Sequence, residues 1–126
     1  MAPQRVEGML TVEPEIEQAM VYGDKRPHLV ALLVPNTDFA ADWAKTNNEE
    51  NDLTALVKND AFVAAIREAV DRVSARLSTI ERVRRIKVTA EPFSIDNEML
   101  TPSMKIRRHV IKARYGDALE ALYGGG

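Results

Sequence analysis

The sequence predicts an α+β domain in which a small, mostly antiparallel sheet, a hairpin plus a third strand, packs against several helices. Three features support this class: segments 15–23 and 27–35 have strand composition, residues 59–80 repeat apolar side chains at helical spacing, and "RRIKVTA" at 84–90 alternates apolar with polar residues. A length of 126 residues is ordinary for one domain, so we predict a single domain over 1–126. The absence of cysteine excludes disulfides and thiolate metal sites.

The first elements are a helix and a hairpin. "APQRVEGMLTVEP" is typical of a short helix with Pro3 in its first turn, where a missing N–H does no harm, and Pro14 just past its end. Segments 15–23 and 27–35 are two strands, joined through the turn-forming sequence "GDKRP". The second strand is apolar on both faces, as expected of a buried central strand.

Two or three helices are predicted after the hairpin. Asn36 or Thr37 caps a short one, and its Trp43 is expected to be a core or inter-helix anchor rather than part of a ligand site. The segment after Asn59 carries the apolar stripe of a long amphipathic helix, formed by Val63, Ile66, Val70, Val73, Leu77 and Ile80. A coiled coil shows the same spacing, but fewer than three heptads favour a helix that faces the core.

The last third of the chain predicts a strand, a turn and two helices. Ile86 and Val88 alternate with polar residues, which indicates a half-exposed third strand. A Thr-Pro turn follows, and Ser103 is expected to cap a basic helix after it. A final short helix is predicted from three apolar residues, Leu119, Leu122 and Tyr123.

Charge is unevenly distributed along the chain. Residues 1–81 hold 8 Lys/Arg and 14 Asp/Glu, a balance of −6, whereas residues 82–114 hold 9 and 3, a balance of +6. The basic segment 82–114 suggests a freestanding interaction module that binds an acidic partner or nucleic acid. A solvated helix face explains the same charges, and the cluster "RRHVIKAR" lacks the interleaved aromatic residues of single-strand nucleic-acid binding.

No complete active site is evident from the residue types. His28 and His109 are far apart in sequence and have no ligands at metal-binding spacing around them, so no metal site is predicted. The chain contains neither a glycine-rich nucleotide loop nor a nucleophile elbow. The N-terminal "MAPQRVEG" lacks the basic and apolar regions of a signal peptide, so a cytoplasmic protein is expected.

Lys105 is the candidate catalytic residue. By sequence it stands where a helix begins, although the partial positive charge of a helix N-terminus disfavours a cation there. Thr101 is biased to an extended conformation by Pro102, and Ser103 is placed to cap the helix. We expect the Lys105 ammonium and free backbone N–H groups to converge on a phosphate or carboxylate oxygen. The alternative is that Lys105 lies over the sheet or points to water.

Three segments carry a resemblance to a known family. "LTPSMKIRRHVIKARYGDALEALY" closely resembles the C-terminal end of AMP-forming acyl-CoA synthetases, especially the long-chain fatty acid ligases of the adenylate-forming superfamily. "IEQAMVYGDKRPHLVALLVPN" is similar to the hairpin of the same C-terminal domain, and "APQRVEG" to the tail of the motif after the interdomain hinge. The resemblance covers nearly all of residues 2–123.

The resemblance implies roles for individual residues. In that family a large N-terminal domain binds ATP and the acyl substrate, and a lysine at the position of Lys105 contacts the carboxylate and α-phosphate as acyl-adenylate forms. The small domain then rotates and CoA attacks the adenylate. ATP, CoA and Mg²⁺ are therefore implied for the full-length enzyme, with none bound stably by this chain alone. Arg26, Arg107 and Arg108 are weaker candidates for contacts with the CoA phosphates.

The sequence also departs from the family pattern. Many relatives have Gly directly before the lysine, where this chain has Met104, a form similar to the long-chain subgroup. The family's hinge residue and its Ser/Thr/Gly-rich phosphate loop lie upstream of the matched segments. We therefore expect a lid domain that is inactive alone and works with its own N-terminal ATP- and acyl-binding domain. The complete enzyme is expected to be cytoplasmic or peripheral at a membrane, with no transmembrane segment and no nucleic-acid partner.

Overall fold

A computed structural model describes residues 3–23 and 28–124. The elements in chain order are α1 (Pro3–Val12), β1 (Ile16–Tyr22), β2 (Leu29–Pro35), α2 (Thr37–Thr46), α3 (Leu53–Leu56), α4 (Asp60–Ser74), a short 3-10 turn (Thr79–Glu81), β3 (Val83–Val88) and α5 (Arg108–Gly124). The predicted α+β class is confirmed. In this part of the chain no helix has the length and apolar content needed to cross a bilayer.

The three strands form one sheet in the order β1-β2-β3. β1 and β2 pair as an antiparallel hairpin in which Tyr22 lies opposite Val30. β3 pairs with β2 in parallel, so the sheet is mixed, which corrects the expectation of a mostly antiparallel sheet. The reason is the long connection between these strands, because α2, α3 and α4 provide the crossover that a parallel pair requires.

The central strand β2 divides the core into two layers. All seven of its residues are buried, as its continuous apolar sequence predicts. Leu29, Ala31 and Leu33 face one cluster, which contains residues of α1, α2 and α4. Val30, Leu32 and Val34 face the other, which contains residues 93–100 and α5.

Side-chain caps and aromatic contacts fix the helices of the first layer. Asn36 accepts a hydrogen bond from the Phe39 N–H at the start of α2, and Asn59 caps α4 in the same way. The rings of Trp43 on α2 and Phe62 on α4 pack in a T-shaped arrangement, with 5.2 Å between ring centroids and 75° between planes. The predicted role of Trp43 as an inter-helix anchor is confirmed.

Three predicted helix boundaries are wrong. The helix after Asn59 ends at Ser74, because the Ser74 hydroxyl accepts the backbone N–H of Val83 and ties the helix end to the start of β3. The predicted last two helices are one helix, α5, since Ile111 and Leu119 are buried in the same cluster and keep it continuous. The helix also starts later than predicted, at Arg108, since Leu100 and Ile106 form an antiparallel bridge just before it.

Candidate functional site

The segment 99–107 forms a hydrogen-bonded turn that presents Lys105. Leu100 and Ile106 form an antiparallel bridge, and the Thr101 N–H donates to the Lys105 carbonyl at 2.8 Å. Outside this pair, the Arg107 N–H donates to the Met99 carbonyl at 2.8 Å. The backbone on both sides of Lys105 is therefore fixed by pairing, with Met99 and Leu100 anchored in the second core layer.

Thr101 holds the inside of this turn. Its hydroxyl accepts the backbone N–H of Lys105 at 3.0 Å and lies 3.0 Å from the Ser103 hydroxyl, while its carbonyl accepts the Met104 N–H. Ser103 thus caps the turn with Thr101 and does not cap a helix, so that prediction is wrong. The local reason is Pro102, which holds Thr101 extended and starts a turn instead of a helix.

Lys105 lies three residues before α5, so the expectation that it stands at the helix start beside free N–H groups is wrong. Its own N–H is bonded to Thr101. The side chain is exposed, and its ammonium makes no hydrogen bond or ion pair to any residue in the ranges that the structure describes. A cation on a paired backbone with an uncommitted charge is well placed to meet an anion supplied from outside the chain.

Met104 adopts a left-handed backbone conformation, which glycine adopts most readily. Its φ is 67°, in the left-handed region, and its side chain is 63% exposed. A non-glycine residue there costs on the order of 1 kcal/mol or more, which the turn's hydrogen bonds offset. The departure from Gly therefore leaves the turn intact and adds an exposed apolar side chain beside Lys105.

We expect Met104→Gly to leave the free energy of unfolding nearly unchanged, since relief of the left-handed strain is offset by greater freedom of the unfolded chain. Met104→Val should destabilise the chain by about 1–2 kcal/mol relative to Met104→Gly, because a β-branched side chain is poorly tolerated at positive φ. Urea unfolding of the two variants measures the difference. Equal stability of the glycine and valine variants would show that this turn geometry is not formed.

The three candidate arginines have different surroundings. Arg26 lies outside the described residues. Arg107 is half-buried at the end of the turn, with its N–H bonded to Met99. Arg108, the first residue of α5, donates from both terminal nitrogens to Glu7, at 2.8 and 2.9 Å, and also to the Val21 carbonyl at 3.0 Å. The guanidinium of Arg108 is thus already occupied within the domain.

Glu7 is a buried charge that the sequence reasoning missed. It is only 6% exposed, and one of its oxygens accepts the Val21 N–H at 2.6 Å in addition to Arg108. A signal was available, because Glu7 shares the buried face of α1 with Val6 and Leu10. A carboxylate on the apolar face of a helix needs a partner inside the fold, and sequence alone did not say which.

A cavity of about 460 Å³ joins these groups. Its lining comes from the start of α1, the Lys105 turn and the start of α5, through Gln4, Glu7, Lys105, Ile106 and Arg108. The Lys105 side chain and the Glu7–Arg108 pair therefore face the same space. In the described part of the chain, no group of three or more His, Asp or Glu side chains is arranged to hold a metal ion.

Two shifted pKa values lie away from this cavity. Burial raises the pKa of the Tyr115 phenol, and its hydrogen bond to Glu91 at 2.6 Å raises it further. Hydrogen bonds to Glu15 and Glu13 raise the pKa of Arg72, which links α4 to the connection before β1. Both sets of hydrogen bonds join a helix to a loop, and none of their residues lines this cavity.

The fold and the turn together define a small α+β domain that presents an exposed lysine on a hydrogen-bonded turn. Residues 1–125 match the family described as the AMP-binding enzyme C-terminal domain. The chain belongs to this family. That match agrees with the resemblance carried by the hairpin and by the turn with Lys105.

Two similar proteins are a long-chain-fatty-acid–CoA ligase and a fatty acyl-CoA synthetase. The chain is 30% identical over 126 residues to long-chain-fatty-acid–CoA ligase 1 of Cavia porcellus, which covers 98% of this chain and 18% of that protein. It is 28% identical over 126 residues to fatty acyl-CoA synthetase B of Dictyostelium discoideum, with 98% and 19% covered. The chain therefore spans about a fifth of the length of these relatives.

Solved structures match the whole chain. The adenylation and carrier-protein didomain of the carboxylic acid reductase from Segniliparus rugosus, in complex with AMP, matches with a TM-score of 0.80 at 27% identity, over 99% of this chain and 16% of that one. An acyl-CoA synthetase from Brucella canis matches with a TM-score of 0.56 at 21% identity over 94% of this chain and 18% of that one, which concerns the fold alone.

Proposed function

We propose that this chain is the mobile C-terminal domain of an AMP-forming long-chain fatty acid–CoA ligase and that Lys105 is its adenylation residue. The observation that carries the proposal is the uncommitted ammonium of Lys105 on a turn whose backbone is fixed by pairing. Family membership and the names of the similar ligases support the same reading.

Lys105 would act while the acyl-adenylate forms. An oxygen of the fatty acid carboxylate attacks the α-phosphorus of ATP, the bond to the β-phosphate oxygen breaks, and pyrophosphate leaves. Two anions must approach each other in this step, and negative charge accumulates on the α-phosphate. An ammonium aimed at that charge in a site without bulk water stabilises the transition state more than the separated substrates. Lys105 transfers no proton.

The second step requires Lys105 to move away. The CoA thiol sulfur attacks the acyl carbonyl, AMP departs as the leaving group, and the thiol proton is lost to solvent or to a base outside this chain. We propose that rotation of this domain withdraws the turn and makes room for CoA. Arg107 and Arg26 remain candidates for contacts with the CoA phosphates, whereas the pairing of Arg108 with Glu7 favours a structural role for it.

The partners follow from this role. ATP, CoA and Mg²⁺ would serve the complete enzyme, held mainly by its N-terminal ATP- and acyl-binding domain, and this chain alone would bind none of them stably. Without that domain the chain would not turn over. We propose a cytoplasmic enzyme, or one peripheral at a membrane, with lipid metabolism as its setting.

The alternative, an interaction module built on the basic segment 82–114, has weaker support. Arg108 is paired with Glu7, and Arg114 with Glu91 at 3.0 Å. Several other cations of this segment lie on β3, at the edge of the sheet, where exposed charges discourage pairing with a further strand. The charges thus have local roles in the fold that do not require an acidic partner.

The proposed activity is tested by product analysis of the complete protein. With palmitate, ATP, Mg²⁺ and CoA, it should yield acyl-CoA, AMP and pyrophosphate in equal amounts, and without CoA it should catalyse palmitate-dependent ATP–pyrophosphate exchange. The chain of residues 1–126 alone should do neither. Release of ADP in place of AMP, or acyl-CoA formation by the chain alone, would contradict the proposal.

A further inference from the structure

We infer that Glu7 is a positioning residue for Lys105, acting through Arg108; this inference rests on the proposed function of Lys105. Glu7 accepts three hydrogen bonds, one from the Val21 N–H and two from the Arg108 guanidinium, at 2.6 to 2.9 Å. Arg108 adds a bond to the Val21 carbonyl at 3.0 Å. These four bonds join α1, β1 and the first residue of α5 at a single point.

The backbone between Lys105 and Arg108 is hydrogen-bonded or bridged at each residue. Arg107 is bonded to Met99, and Ile106 forms a bridge with Leu100, so the residues between Lys105 and α5 are held against the opposite strand of the turn. An orientation imposed on Arg108 is therefore passed to Lys105 through paired backbone. A flexible linker between Lys105 and Arg108 would not transmit this orientation.

Stability alone is a poor explanation for the pair. The buried carboxylate and the half-buried guanidinium both lose hydration, and an apolar pair of similar volume is often as stable. A bidentate pair instead supplies direction, because two parallel hydrogen bonds fix the plane of the guanidinium against that of the carboxylate. The geometry thus favours a role in setting the angle between α1 and the Lys105 turn.

Arg108 also keeps Glu7 from competing for Lys105. The pair and the Lys105 side chain line the same cavity of about 460 Å³. Both Glu7 oxygens are occupied by Arg108, so the carboxylate is neutralised within the domain. Without Arg108, a buried negative charge would face the cavity and attract the lysine ammonium away from the incoming substrate.

The test compares Glu7→Gln, Arg108→Gln and the double variant in the complete ligase. Each single change should lower kcat for ATP–pyrophosphate exchange by about 10- to 100-fold, as expected for a misplaced catalytic group, with little change in the KM for ATP. CoA capture of supplied acyl-adenylate should be nearly unchanged. The double variant should be faster than Arg108→Gln alone, because it removes the competing carboxylate.

A structural control separates positioning from general destabilisation. Val73→Ala removes core volume in α4, away from the turn, and should lower the melting temperature without a preferential loss of adenylation. Glu7→Asp and Arg108→Lys keep the charges and serve where a glutamine variant does not fold, with smaller losses of the same kind. In the 126-residue chain, Glu7→Gln should speed amide hydrogen exchange at Lys105 and Arg107 more than in β2.

The outcomes are distinct. Equal loss in both half-reactions, additive effects of the two glutamine variants, or unchanged adenylation would overturn the positioning role of Glu7 while leaving that of Lys105 in place. If Lys105→Ala itself leaves adenylation unchanged, the proposed function fails first. A loss confined to adenylation, with partial recovery in the double variant, supports the inference.

Discussion

Replacing Lys105 by alanine in the complete ligase is expected to slow fatty-acid-dependent ATP–pyrophosphate exchange by about 100- to 1000-fold, or roughly 3–4 kcal/mol of transition-state stabilisation. In the proposed role, the lost group is the ammonium that would offset repulsion between the carboxylate and the α-phosphate. The KM values for ATP and fatty acid should change much less, because the effect belongs to the transition state. Steady-state exchange kinetics give both quantities.

The same variant should convert supplied acyl-adenylate and CoA to acyl-CoA with a rate within about threefold of the unsubstituted enzyme, since the proposed rotation withdraws the lysine at that stage. Lys58→Ala, which removes an exposed lysine from the connection between α3 and α4, is the matched control and should leave both half-reactions unchanged. An equal loss of both half-reactions in Lys105→Ala would count against the assigned role.

Gly23→Ala should produce the largest loss of stability that we predict for a single methyl group, about 3 kcal/mol. Gly23 has a φ of 129°, which L-residues rarely adopt. An added Cβ would overlap the Tyr123 hydroxyl and lie 2.8 Å from the His28 carbonyl oxygen. Tyr123 donates a hydrogen bond to that carbonyl at 2.8 Å. The clash would therefore break a contact between the end of α5 and the β1–β2 hairpin.

Gly8→Ala is the matched control for this prediction. Gly8 lies inside α1, has no positive φ, and a Cβ there would meet nothing within 4 Å. Alanine should therefore stabilise the chain by about 0.5–1 kcal/mol, because glycine loses more freedom than alanine in a helix. Urea unfolding of the two variants measures both values, and a similar stability for Gly8→Ala and Gly23→Ala would refute the strained geometry at Gly23.

Local patterns were reliable where neighbouring residues decide the structure. The seven apolar residues of β2 predicted a central strand with two buried faces, and Asn36, one of two candidate caps, predicted the start of α2. The turn after Thr101 was also evident from Pro102. The sequence places Ser103 and Lys105 at a helix start, whereas pairing of Leu100 with Ile106 delays α5 until Arg108.

Long-range partners could not be predicted. Glu7 and Arg108 are 101 positions apart, and only the packing of α1 beside the start of α5 brings them within hydrogen-bonding distance. Likewise, the direction of β3 depends on where the crossover helices place it, and not on its own alternating residues. In both cases the sequence identifies the residues but does not show which distant part of the chain they pack against.

The sequence by itself determined the α+β class, the buried central strand and the presence of a lysine after a Thr-Pro turn, since these depend on residues close together in the chain. The tertiary structure alone decided that this lysine lies on a hydrogen-bonded turn ahead of α5, and that Glu7 and Arg108 hold that turn against α1. The physical reason is that a buried carboxylate must find a donor, and which donor it finds is set by the packing of elements far apart in sequence.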